Sequence, residues 1–242
     1  MSRPNIHQGT PAAQGRLSAR PIIQNDRPAT PSSIQTLNIG TIRSGLISIP
    51  PGYSPDRPAP LLVLLHGAGG EAKQAIGWLQ QVADEAGLIL LAPQSHKATW
   101  DRIGGDYGPD VQRIDDALSE VFRRFAIDPE LVALGGFSDG ASYALSLGVT
   151  NGALFRHGVA FSPGFIAPTG VEGHPRFYVS HGTGDRILPI DRCSRQLVPK
   201  LKGAGFDVTY REFEGGHTIP PGIAQEAVEW LLKDTAQEST EL

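Results

Sequence analysis

The chain contains a single cysteine, Cys193, in 242 residues, so no intrachain disulfide can form, which agrees with a reducing compartment. It also lacks a block of lysine and arginine. Its 21 basic and 25 acidic residues are scattered, for a net charge of −4, which gives no footprint for a phosphate backbone and argues against a nucleic-acid partner. Apolar runs are short: the longest, Leu61 to Leu65 and Leu88 to Ala92, have the length of strands and fall far below the ~20 residues that cross a bilayer. No membrane span is expected. The opening stretch, MSRPNIHQGTPAAQGRLSARPIIQ, has Arg3 but no apolar core of signal-peptide length, so the cytoplasm is the simplest expected location. Metal chemistry lacks its usual ligand patterns, with no His-Glu-x-x-His and no close cluster of histidines with acidic residues. The glycine-rich stretches have neither Gly-x-Gly-x-x-Gly nor a Gly-Lys-Ser/Thr ending. No cofactor is called for.

What the chain does have is a globular composition, 40% hydrophobic and 19% charged, enough for one domain with a substantial core. Residues 1–35 differ: they are rich in Pro, Gln, Ser and Thr with few large apolar groups, which predicts a flexible arm ahead of a single catalytic domain over 36–242. In that domain strand-like segments (Thr41 to Ile49, Leu61 to Leu65, Leu88 to Ala92, Leu131 to Gly135, Gly158 to Phe161, Arg176 to Ser180, Val208 to Phe213) alternate with helix-like ones. The helices are expected over Lys73 to Ala86, Asp110 to Phe125, Ser138 to Val149, Pro189 to Gly203 and Pro221 to Lys233. Alternation of this kind predicts an α/β fold with a mostly parallel sheet and helices on both faces. Ligands of such sheets bind beyond the carboxyl ends of the strands.

A Gly-x-Ser-x-Gly pentad, Gly136-Phe137-Ser138-Asp139-Gly140, stands at one of those ends. With 29 glycines the pentad could arise by chance, so its setting between a strand and a helix carries the weight. A serine in that turn sits on a strained corner with its hydroxyl exposed, and flanking glycines spare a Cβ clash with strand and helix. A serine needs a base, and the base an acid to fix its tautomer. For an elbow of this type the chain order is Ser, acid, His. Three of the seven histidines precede Ser138, and His157, His174 and His181 precede the best acid, which leaves His217 in Glu214-Gly215-Gly216-His217-Thr218. Asp185 is the favoured acid, after a strand and the turn His181-Gly182-Thr183-Gly184; Glu214 is the reserve. Donors for the oxyanion are expected from the backbone N–H of Asp139 and from the glycine-rich turn His66-Gly67-Ala68-Gly69-Gly70, with Ala68 first and Gly67 next.

These four motifs together resemble the α/β-hydrolase family, and more narrowly the bacterial phospholipase/carboxylesterase group related to acyl-protein thioesterases. The resemblance runs from about Leu46 to Leu232. It implies an α/β-hydrolase fold and a serine hydrolase of carboxylic esters or thioesters with a small-molecule ester substrate; separately, no segment is long enough to read as a large lid, which predicts an open cleft favouring short or medium acyl groups. Oligomeric state is left open. Asp139 is a departure, since thioesterase-like relatives commonly carry Gln there; its carboxylate should face away from the oxyanion. By the same resemblance Trp100 and Tyr107, in the stretch after Pro93, are candidates for an acyl pocket; Ile187 and Leu188, just past Asp185, are candidates for its opposite apolar wall or for capping the following helix, and Gly67 is a further candidate for substrate contact. Packing beneath the loop is the alternative for Trp100.

Overall fold

The computed structural model describes residues 9–22, 30–37 and 45–233. Eight strands form one sheet in the order β1-β2-β4-β3-β5-β6-β7-β8: β1 Ser33–Leu37, β2 Gly45–Ile49, β3 Ala59–Leu65, β4 Ile89–Ala92, β5 Ile127–Phe137, β6 His157–Phe161, β7 Arg176–Gly182 and β8 Val208–Phe213. The first two pair antiparallel with each other, and β2 antiparallel with β4; every later pairing is parallel. The expected mostly parallel sheet is therefore present.

Both faces of the sheet are covered, which is why the central strands read as unbroken apolar runs. On β3, Leu61, Val63 and Leu65 point into the core beneath α3 (Pro109–Arg124) and α4 (Asp139–Thr150), while Leu62 and Leu64 point into the core beneath α1 (Ala72–Ala86) and α6 (Pro221–Leu232). β5 divides likewise, with Val132 and Leu134 on one face and Ala133 on the other. Two further helices complete the set, α2 (Asp101–Gly104) and α5 (Ser194–Gly203). The helix ends follow local chemistry: Gly87 closes α1 in the left-handed conformation at φ 69, and prolines open α3 and α6. No helix among the described residues is long and apolar enough to cross a membrane.

Several expected bounds shift. Residues 41–44 of the first expected strand lie outside the described residues, and β2 begins at Gly45. The stretch expected as one helix from Pro189 divides into a 3-10 turn, Ile190–Arg192, and α5. The flexible arm is corrected where it is described. Leu17 and Ala19 are buried, the Leu17 N–H donates to Asn151 Oδ1 at 2.9 Å, and the Ser18 and Ala19 N–H groups both donate to Asp115 Oδ1 at 2.8 Å. Residues 33–35 belong to β1. Two apolar side chains and a pair of buried polar partners hold a segment whose composition alone reads as unable to fold.

The order of strands sets the position of the site. β4 lies on one side of β3 and β5 on the other, so the carboxyl ends of β3 and β5 open at the point where the connections change direction, where such sheets bind ligands.

Candidate active site

Ser138 follows β5 and precedes α4, with φ 57 and ψ −120. Non-glycine residues seldom adopt a positive φ, so the corner is held by its surroundings. The glycines explain how. A Cβ on Gly136 would stand 2.5 Å from the carbonyl oxygen of Gly140, and one on Gly140 would stand 2.5 Å from that of His66. Strand, helix and the loop after β3 are thus in backbone contact around the serine.

That loop, residues 66–70, is pinned from below. His66 Nδ1 donates to the Gly67 carbonyl at 2.8 Å, so Nε2 is its acceptor, and it receives Gln94 Nε2 at 3.0 Å and the Ser95 N–H at 3.2 Å. Trp100 Nε1 donates to the His66 carbonyl at 2.8 Å. In the turn itself, the Gly69 N–H donates to Ala98 O and the Gly70 N–H to Gly67 O. Among the described residues neither the Ala68 N–H nor the Asp139 N–H has an acceptor. Gly67 lies against the serine, with 3.4 Å between a Cβ built on it and Ser138 Cβ. The Asp139 carboxylate accepts a hydrogen bond from Thr99 Oγ1 at 2.8 Å, which commits that oxygen to the loop after β4.

Asp185 and His217 meet across two glycine-rich turns. β7 runs on through His181 and Gly182, past the expected end at Ser180. A Cβ on Gly182 would stand 2.5 Å from the Gly215 carbonyl oxygen, and the Gly184 N–H donates to that same oxygen at 2.8 Å. The turns after β7 and β8 therefore stack backbone on backbone, and His217 Nδ1 donates to Asp185 Oδ2 at 2.6 Å. A carboxylate only accepts, so the proton is on Nδ1 and Nε2 carries the free lone pair. The His217 ring rests on Phe137, with centroids 4.5 Å apart, and Trp78 backs Phe137 at 5.1 Å. Phe137 is the residue before Ser138, so the ring that supports His217 belongs to the strand end that carries the serine.

Asp185 is buried, which by itself would raise its carboxyl. The hydrogen bond from His217 and the Leu188 and Ile187 N–H groups, both 2.9 Å from Oδ1, outweigh that and leave it below the ordinary aspartate range. His181 approaches the same carboxylate, Nε2 to Oδ2 at 3.2 Å. Burial lowers its pKa, against the opposing pull of Leu188 O and Asp185, and its partners suit the neutral form: Nε2 donates to Leu188 O and Nδ1 accepts from Ser194 Oγ at 2.6 Å.

The structure thus brings Gly67 against Ser138, with Ala68 and Asp139 their neighbours in the chain, and His217 onto Asp185. Two expected substrate contacts are corrected. Trp100 is 1% exposed and packs between His66 and Tyr143, and Tyr107 is 4% exposed against Tyr143 and Gly15. Both fill the core under the loop, because the indole N–H and the rings find partners there. Ile187 is exposed beside Asp185. Sequence reasoning missed Phe137 as the support for His217; only its place inside the pentad could have pointed to it.

Residues 110–234 match the family described as Phospholipase/Carboxylesterase. Among curated proteins the chain is 32% identical over 210 residues to acyl-protein thioesterase 1 of Gibberella zeae, covering 71% of this chain and 89% of the relative. It is 26% identical over 214 residues to a probable feruloyl esterase C of Aspergillus oryzae, covering 74% of this chain and 77% of the relative. Among solved structures, the Bacillus cereus carboxylesterase superposes with a TM-score of 0.61 at 21% identity, covering 78% of this chain and 93% of that one. At that distance in sequence, the likeness bears on the fold alone.

Proposed function

The chain belongs to the phospholipase/carboxylesterase family of α/β-hydrolases, and from that premise we propose that it hydrolyses carboxylic esters through an acyl-enzyme on Ser138. The observation that carries this is the 2.6 Å hydrogen bond from His217 Nδ1 to a buried Asp185, on a ring that rests against the residue before Ser138.

Ser138 Oγ attacks the ester carbonyl as His217 Nε2 takes its proton, and Asp185 stabilises the imidazolium that forms. The carbonyl oxygen gains charge and is met by the Ala68 and Asp139 N–H groups, donors with no other acceptor among the described residues. The intermediate collapses, the alkoxide leaves with the proton from His217, and the acyl group stays on Ser138. Water then attacks this ester with His217 again as base, releasing the acid and free enzyme. No connection at the carboxyl edge of the sheet is long enough to build a separate lid, which favours short or medium acyl groups in an open cleft. The names of the relatives add two classes to try, aryl-acyl esters and thioesters.

Turnover of p-nitrophenyl esters of graded chain length, beside a hydroxycinnamate ester, a thioester and a peptide panel, tests this. Highest kcat/KM on an oxygen ester of short or medium chain is expected. Hydrolysis of the thioester or peptide alone would overturn the proposal.

A further inference from the structure

Helix α4 carries three buried hydroxyls one turn apart, Ser142, Ser146 and Thr150. Each donates to the carbonyl four residues earlier: Ser142 to Ser138 O at 3.2 Å, Ser146 to Ser142 O at 2.7 Å and Thr150 to Ser146 O at 2.9 Å. This spends the one proton each hydroxyl has and leaves its two lone pairs to accept. All three accept from the segment between β6 and β7. The Gly164 and Phe165 N–H groups donate to Ser142 Oγ at 2.9 and 3.4 Å, the Ala167 N–H to Ser146 Oγ at 2.9 Å, and the Thr169 N–H to Thr150 Oγ1 at 3.3 Å. A segment with no helix or strand of its own is thereby fastened, rung by rung, along the helix that begins at Ser138.

The top of this segment is held from a second direction. The Leu188 methyls stand 3.4 Å from a Cβ built on Gly164, and the Leu188 N–H is one of the two that hold Asp185 Oδ1. Residues 164 and 165 are therefore wedged between the first turn after Ser138 and the turn that carries Asp185. Large apolar side chains remain exposed on both sides of that wedge: Phe165 at 36% and Ile187 at 69%. An exposed phenylalanine whose backbone is fixed one helical turn from Ser138 offers a rigid apolar surface at that end of α4.

We propose that residues 163–166 form an apolar wall of the substrate cleft, with Phe165 as its specificity-determining side chain and Ser142, Ser146 and Thr150 as positioning residues that fasten the wall and the segment behind it along α4. The proposal rests on the ester-hydrolase assignment. It adds that the enzyme selects esters by their apolar bulk, and that the selection depends on hydroxyls which touch no substrate.

The test compares kcat/KM on two ester series, one with the acyl group lengthened from acetate to hexanoate on p-nitrophenol, the other with the alcohol lengthened on a fixed acetate. Each buried methylene is worth about fourfold, so Phe165→Ala is expected to reduce the hexanoate-to-acetate ratio, or its counterpart in the alcohol series, by roughly fivefold to tenfold, mostly through KM. Phe165→Leu should fall between. Ser146→Ala and Thr150→Val should shift the same ratio in the same direction, and Thr150→Ser, which keeps the hydroxyl, should restore it. Ratios unchanged in both series for Phe165→Ala, or equal losses on every ester in the rung variants with no rescue by Thr150→Ser, would overturn the proposal. Failure of the wild-type protein to turn over any ester would instead sink the underlying assignment, so the two are told apart.

Discussion

Gly182 shows how one missing side chain lets two turns meet, the turn that carries Asp185 and the turn that ends in His217. Its Cα faces the carbonyl of Gly215, and the 2.5 Å that a Cβ would have is not survivable without moving the turn that ends in His217. Gly182→Ala is therefore expected to lower kcat by at least tenfold, because a displacement on the order of 1 Å at a base costs about that much or more, while the protein stays folded by circular dichroism. Activity within twofold of wild type would show that the two turns are not the device that aligns His217 with Asp185. At this scale much of the site was legible in advance, for a physical reason. Nucleophile, acid and base must appear in a fixed chain order, so a search over seven histidines ends on one. Burial is not ordered in that way. Nothing in the stretch after Pro93 distinguishes an aromatic that lines a cleft from one that fills a core, and Trp100 and Tyr107 proved to fill it.

Among the elements, the described N-terminal segment is the one whose contacts most exceed what its composition suggests. Asn151 reads its backbone twice, accepting from the Leu17 N–H and donating to the Gly15 carbonyl at 2.7 Å, and Asp115 accepts from Ser18 Oγ at 2.5 Å as well as from two N–H groups. Deleting residues 1–20 uncovers the core at Leu17 and Ala19, a loss of roughly 2–3 kcal/mol, or about 5–10 °C in Tm for a chain of this size. Thermal unfolding of the truncated protein checks this, and an unchanged Tm would mean the segment only rests on the body. The strands tell the complementary story. β3 and β4 could be read from sequence because burial on both faces leaves no polar positions, whereas β1, at the sheet edge, shows Ser33, Gln35 and Thr36 and looks like loop. The rungs on α4 were visible only as an i, i+4, i+8 spacing of hydroxyls, a pattern with no meaning until the opposite segment is seen.

For the whole molecule, two buried aspartates give stability opposite dependences on pH. The Asp185 carboxyl is held below its ordinary value, so its contribution is present above about pH 3.9 and is lost as pH falls through the lowered pKa. Asp110 is the reverse. Burial pushes its carboxyl up to about 6, against the hydrogen bonds from the His96 and Asp101 N–H groups. Its contribution is full below about pH 3.9 and is lost as pH rises through about 6. Urea unfolding of wild type and Asp110→Asn at pH 5 and pH 7 checks this: the variant should lose less stability between the two than wild type does. Equal slopes would show that Asp110 is ionised throughout. The proposed reaction presupposes one activated serine. The most direct measurement is the reaction of the protein with a fluorophosphonate at neutral pH, followed by mass spectrometry of the labelled peptide: the account predicts a single adduct, on Ser138, that is absent in Ser138→Ala and strongly slowed in His217→Ala, and no adduct on Ser138 in the wild-type protein would contradict it.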